Sequence, residues 1–236
     1  MSSQPKLNLA TKEFEENRRH GLMICGINWG GDPSNESAPE EQSFFSDKTV
    51  NNYPYRNRLL RWFNFWGDPL QIDRGREGWL ERSIAQTNWL PDQDVSMRNR
   101  NTFEECLRLR TNFLFHVESL RPRLILFCGT ILIHVLNNPQ CLEEAKTLLG
   151  QPSKLVILRK DIFEDGRKLK RFAVGVQKFE HCEIVAVPHP TGSIGLSDAY
   201  IAAFKTEVSE VMDRYRQNAC AEQSAPGDAK IGASEL

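Results

Sequence analysis

The chain predicts an α/β fold: a three-layer sandwich with a central, mainly parallel four-stranded sheet and helices on both faces. Three observations point there. Apolar runs of strand length alternate with longer segments of helical periodicity. One run, Leu124-Ile125-Leu126-Phe127-Cys128, is continuously apolar, as expected for a strand covered on both faces. Three runs end abruptly in short polar segments, as parallel strands do where they leave the sheet. Those segments are Gly26-Ile27-Asn28-Trp29-Gly30-Gly31, Thr87-Asn88-Trp89 and His189-Pro190-Thr191-Gly192-Ser193.

In order, residues 1–6 are expected to be disordered, 7–217 to form one domain, and 218–236, rich in Ala, Gly, Ser and Glu, to form a tail. A polar helix is expected over 8–19 and a strand over 22–27. The stretch 28–54, rich in Pro, Asn, Ser and Glu, is a long connection of the kind that often carries function. Leu59, Leu60, Trp62, Phe63, Phe65 and Trp66 mark a largely buried helix, followed by a strand at 82–88.

The stretch 102–120 reads as one helix, with Thr102 and Glu105 forming a capping box and Pro122 marking its end. Gly129-Thr130 opens a helix through about Leu136. Segments 154–161 and 170–178 read as a charged hairpin turning at Glu164-Asp165-Gly166, inserted into the plan. A last strand at 183–187 leads to a helix over 198–216 capped by Ser197, with Ile201, Phe204, Val208, Val211, Met212 and Tyr215 inward.

At 236 residues and 40% hydrophobic content the chain can bury a substantial core in one domain. It has no basic-then-apolar leader pattern, and no apolar run approaches the ~20 residues needed to span a bilayer. A soluble intracellular protein is the expectation: cytoplasmic, and nucleoid-associated in a prokaryote or nuclear in a eukaryote. The six cysteines, at 25, 106, 128, 141, 182 and 220, show neither CxxC nor zinc-ligand spacing, so they read as structural free thiols. The net charge of −1 disfavours a strong general nucleic-acid binder. The charge is uneven, however. Lys154 to Lys178 and Arg98 to Arg123 are basic, which permits a local phosphate-binding face.

If the apolar runs are neighbouring parallel strands, Asn28, Asn88 and His189 converge on one sheet edge. Ligands of open α/β sheets bind outside the carboxyl ends of the strands. Two amides and an imidazole there can read and polarise a small heteroaromatic ring. Taken singly, each residue has a structural alternative: a turn-forming Asn28, a strand-capping Asn88, and a histidine that supports a Pro-turn.

The motifs resemble those of the uracil-DNA glycosylase superfamily. Gly26-Ile27-Asn28 resembles the first motif of its mismatch-specific and single-strand-selective monofunctional (SMUG-type) branches, Gly-(Ile/Met)-Asn-Pro-Gly. His189-Pro190-Thr191 resembles the second, usually His-Pro-Ser. Tyr53-Pro54-Tyr55 with Leu59-Leu60-Arg61-Trp62 resembles the segment that carries the ring-stacking aromatic, and Thr87-Asn88-Trp89 stands where the base-reading Asn belongs. The likeness spans roughly residues 15–215. Two departures are plain: Trp29 stands where the family has proline, and Thr191-Gly192-Ser193 stands where Ser-Pro is usual.

The resemblance implies a monofunctional glycosylase that hydrolyses uracil or another deaminated base from DNA. The alternative is a catalytically weak or inactive nucleic-acid-binding protein of the same fold. Asn28 would hold the attacking water and His189 would donate to the departing base. Gly26, Ile27, Trp29, Tyr55 and Asn88 would bind the base, with Phe44 or Phe45 as alternative stacking rings. Pro190, Thr191, Gly192, Ser193 and Ile194 would contact DNA. Ile194 or Leu196 would act as a wedge, although Leu196 also reads as a staple for the last helix. Gly129 and Thr130 would bind phosphate through helix amides, against the alternative of a tight turn. No lysine falls in a matched motif, so no Schiff base or strand cleavage is expected. No cofactor or metal is implied, DNA is the expected partner, and the protein is expected to be a monomer.

Overall fold

The computed structural model describes residues 7–29, 54–73, 75–91 and 101–224. The strands are β1 (Leu22–Gly26), β2 (Ile84–Asn88), β3 (Leu124–Cys128), β4 (Val156–Leu158), β5 (Phe163–Glu164), β6 (Arg167–Lys168), β7 (Val174–Lys178) and β8 (Glu183–Val187). The helices are α1 (Glu15–Arg18), α2 (Pro54–Trp66), α3 (Trp79–Ser83), α4 (Thr102–Arg108), α5 (Arg110–Leu120), α6 (Ile131–Leu136), α7 (Pro139–Leu149), α8 (Asp198–Ala202) and α9 (Lys205–Ser224).

The four expected strands pair in the order β2-β1-β3-β8, all parallel. The sheet has six strands rather than four. The sequence reads the basic segment as an appended hairpin, but its outer parts, β4 and β7, pair antiparallel and extend the sheet beyond β8. Only β5 and β6 form a separate two-stranded hairpin, turning through Asp165 and Gly166 at positive φ. An antiparallel edge on an otherwise parallel sheet is common.

Strand alternation divides the core into two layers. Leu22, Ile24, Leu124, Leu126, Cys128, Val185 and Val187 face Trp62, Phe63, Trp66, Tyr200, Phe204, Val208 and Met212 of α2, α8 and the segment through α9. Met23, Cys25, Ile125, Phe127 and Ile184 face Cys106, Phe113, Val117, Leu132, Leu136 and Leu149 of α4 to α7. The three-layer expectation holds.

Three local expectations need correction, and one helix is additional. The helix over 8–19 is reduced to α1. Leu7 and Leu9 pack inward, the Ala10 amide donates to Gln86 O at 2.8 Å, and Thr87 Oγ1 donates to Asn8 O, so this segment lies along β2. The 102–120 helix breaks at Leu109, and its cap is Asn101, whose side chain accepts from the Glu104 amide. The last helix is two, α8 and α9, and α9 runs to Ser224, past the expected helix end at 216. Helix α7 was not anticipated, although Asn138 caps it and Pro139 opens it. The Ser197 cap on Tyr200 N is as expected.

Among the described residues no helix is long and apolar enough to cross a membrane. Cys25, Cys106, Cys128, Cys141 and Cys182 are buried free thiols. Burial pushes Cys106, Cys128 and Cys141 up to about 12, so these thiols are poor nucleophiles.

Candidate functional site

The register places Asn88, Gly26, Cys128 and Val187 in one row at the carboxyl ends of β2, β1, β3 and β8. Asn28 and His189 each lie two residues past that row. The row is the floor of the site. Asn88 is only 6% exposed, while Asn28, Trp29 and His189 are half-buried at the rim.

Asn88 is held from behind. Trp89 turns to the opposite face, stacks on Phe113 at 4.0 Å with an interplanar angle of 3°, and donates its indole N–H to Cys106 O at 2.7 Å. The Asn112 amide donates to the Asn88 and Trp89 carbonyls. The side chain of Asn88 lies over the backbone of Gly26. A Cβ added to Gly26 would fall well inside 3.0 Å of Asn88 Oδ1, with the Tyr55 hydroxyl at 3.7 Å. Glycine is required at 26 for this close approach, not for a special φ.

Tyr55 stands in the first turn of α2 and joins the floor to the rim. Its hydroxyl lies in the floor near Cys128 and Gln86, and burial holds the phenol well above its usual range, so it stays a neutral group. Its ring lies 5.8 Å from the His189 ring, tilted by 52°.

The geometry fixes the state of His189. Its Nδ1 receives the backbone N–H of Gly192 at 2.8 Å and of Thr191 at 3.2 Å. A backbone N–H can only donate, so Nδ1 is unprotonated and the neutral ring carries its hydrogen on Nε2. Burial acts in the same direction and lowers the imidazole pKa. A Cβ on Gly192 would sit 3.0 Å from Nδ1. Glycine here eases the close approach of the loop backbone to the imidazole.

The loop that follows His189 is pinned by a residue absent from the sequence-based candidates. Arg58 of α2 donates to Pro190 O at 2.6 Å and to Leu196 O, so one guanidinium ties both ends of the loop. Asp198 fixes the arginine at 3.2 Å. Burial alone would raise the Asp198 carboxyl, but hydrogen bonds from Trp62, Arg61 and Arg58 hold it below the usual carboxylate range. Lys170 donates to Ile194 O at 2.9 Å and braces the loop tip. Within the loop, Pro190 is buried, Thr191 and Gly192 are exposed, Ser193 is half-buried and Ile194 is 77% exposed.

The structure thus brings Gly26, Asn88, Tyr55 and His189 together, with Asn28 and Trp29 at the rim. Three candidates are placed differently. The Ile27 side chain packs on Gly129 in the opposite layer, which leaves only its backbone for a ligand. Gly129 has φ +152, and a Cβ there would sit 3.0 Å from Ile27 Cδ1. That contact accounts for the Gly129-Thr130 turn as packing, and α6 beyond it has six residues, too short for a strong N-terminal dipole. Leu196 is buried in the core beside α8, so of the two wedge candidates only Ile194 is available. Phe44, Phe45, Arg98 and Arg100 lie outside the described residues.

A separate cavity of about 410 Å³ opens at the amino ends of the parallel strands, between His20, Arg121, Arg123 and His181 on one hand and Glu118 and Glu180 on the other. It has mixed charge and lies at the opposite end of the sheet from Asn88 and His189.

No protein-family model matches this chain, and no curated protein matches it. The chemistry of the strand-end cluster therefore has to carry the functional reading. It offers a buried amide with two donors and an acceptor, a neutral phenol and a neutral imidazole donor. Such a set suits a flat, uncharged ring with adjacent N–H and C=O groups, and it suits negative charge that develops on that ring.

Proposed function

We propose that the protein is a monofunctional DNA glycosylase that hydrolyses the N-glycosidic bond of a deaminated base, with uracil as the leading substrate. The observation that carries this reading is the fixed neutral tautomer of His189 on the same sheet edge as the buried amide of Asn88. A departing base leaves as an anion. A preorganised N–H donor aimed at its carbonyl stabilises that charge, and such a donor is worth on the order of 100-fold or more in rate. His189 Nε2–H is that donor, and the loop amides on Nδ1 keep it from turning away.

Asn88 supplies base identity. Its amide is clamped over Gly26, and a mispaired buried amide costs about 1–3 kcal/mol. Uracil matches one face of that amide; cytosine, with its donor and acceptor exchanged, does not. Tyr55 walls the pocket between floor and rim. Asn28 holds the attacking water. An amide is too weak a base to take its proton early, so this is positioning. Water adds to the sugar carbon and loses one proton to solvent, the base leaves as an anion with the C–N bonding electrons, and it takes up a proton from solvent. The target nucleotide has to leave the helix to reach such a pocket, and Ile194 at the tip of the pinned loop fills the space it vacates.

The purified protein should release free base from uracil-containing oligonucleotides within a panel that also holds hypoxanthine and mismatched bases. Binding across the panel without release from any member would overturn the enzyme reading and leave a DNA-binding protein.

A further inference from the structure

The β5–β6 hairpin lies beside the same edge of the molecule and has no part in the chemistry above. Leu169 N donates to Ile162 O at 2.8 Å and closes the hairpin, while Ile162 and Leu169 pack against the core. Residues of the opposite parity point away from that core. Phe163 pairs directly with Lys168 across the hairpin, so the two side chains share one face. That face continues through Asp161, which receives Lys168 at 2.8 Å and Arg171 at 3.2 Å. It continues on the other side to Lys170, whose chain packs 3.4 Å from the Cβ position of Gly195 and whose ammonium holds Ile194 O.

Phe163 is 64% exposed. An aromatic ring in water at a hairpin tip loses the burial that normally offsets its exposure, and nothing in the core requires it there. Around it, residues 159–171 carry six Lys or Arg side chains against three Asp or Glu. Lys168 and Arg171 share the single carboxylate of Asp161, which leaves positive charge on the face.

We propose that this face grips an unpaired stretch of DNA next to the target nucleotide. Phe163 stacks on an exposed base, and Lys168 and Arg171 meet the flanking phosphates. The aromatic-plus-cation pairing fits a single strand, because an intact duplex offers phosphates but no open base face. Lys170 couples the arm to the Ile194 loop, so the strand held by the arm runs into the pocket. The inference rests on reading the strand-end cluster as a DNA site.

The test is fluorescence anisotropy with undamaged oligonucleotides, which separates binding from base release. Phe163→Ala should weaken the Kd for a single-stranded thymidine oligonucleotide by roughly 5- to 150-fold, the range expected for loss of one stacked base. Affinity for the matching duplex should change less than twofold, Phe163→Trp should keep single-strand affinity, and the melting temperature should not move. Unchanged single-strand binding in Phe163→Ala overturns the proposal. So does an equal loss on single strand and duplex, which would make the hairpin a general electrostatic patch. Base release by the unaltered protein is scored separately: release with an unaffected Phe163→Ala variant removes the arm alone, and no release removes the pocket reading.

Discussion

Gly26→Ala isolates the closest contact in the site. The added Cβ falls well inside 3.0 Å of Asn88 Oδ1 and 3.3 Å from its Cγ. Ordinary contact begins near 3.4 Å. Asn88 ends β2 and is fixed behind by Trp89 and Asn112, so its backbone cannot retreat. The amide itself must swing by about 1 Å, a misplacement that costs on the order of 100-fold in a positioned reaction. Position 26 has no positive φ, so the backbone tolerates alanine and the damage stays local. Folding should lose about 1–3 kcal/mol, the scale of overpacking a well-filled site. The assay is single-turnover release of uracil from a labelled oligonucleotide, run beside a thermal melt and an anisotropy titration. A fall near 100-fold in release with DNA affinity little changed is expected. A folded Gly26→Ala protein that releases uracil at the parent rate would refute the role of the Asn88 amide and the meaning of the Gly26 contact together.

Other perturbations follow from the same geometry. Arg58→Met removes both ties on the 190–196 loop; each hydrogen bond from a charged group is worth about 1.5–3 kcal/mol, so melting temperature and base release should both fall, and an unchanged release rate would show that the loop holds His189 without this clamp. Leu196→Ala should cost about 2–5 kcal/mol of stability as a core truncation, whereas Ile194→Ala should leave the melt unchanged and weaken activity on duplex DNA; a reversed pattern in the two melts would contradict their assigned burial. Replacing Lys168 and Arg171 together with Gln should reduce the slope of log affinity against log salt on single strands by about 0.7 for each phosphate no longer neutralised, and an identical slope would place the hairpin away from DNA.

The parallel part of the sheet was legible because its strands are buried on both faces and so read as unbroken apolar runs. β4 and β7 were not, because a charged segment such as 154–178 looks like a surface hairpin whether or not its outer strands reach a sheet edge. The 8–19 segment failed for another reason. Its polar composition permits a helix, but Leu7, Leu9 and the Ala10 amide gain more by lying along β2. In the site, Gly26 and Asn88 could be found because each closes a strand, and His189 because it closely follows one. The Ile27 side chain lies in the other layer because strand alternation sends it there. Arg58 left no local signal at all: its partners are two backbone carbonyls and a carboxylate, 132, 138 and 140 positions away. The role of Gly192 likewise appears only once its amide is seen on His189 Nδ1.

The central claim is that His189 enters the reaction as a neutral donor through Nε2. Its folded pKa is lowered by burial, so in the native state it takes up its proton at a lower pH than the ordinary value of about 6.5. The native state therefore loses stability relative to the unfolded chain as pH falls from about 6.5 toward that lower value. Protonation would also place an Nδ1–H against two N–H donors and open the loop. Nitrogen-15 NMR of the histidine ring, with His189→Gln to assign the signal, reads this directly. At neutral pH the account predicts an unprotonated, hydrogen-bonded Nδ1 and a protonated Nε2, with base release constant through neutrality and falling only at acid pH. An Nδ1-protonated tautomer or an imidazolium at neutral pH would contradict it.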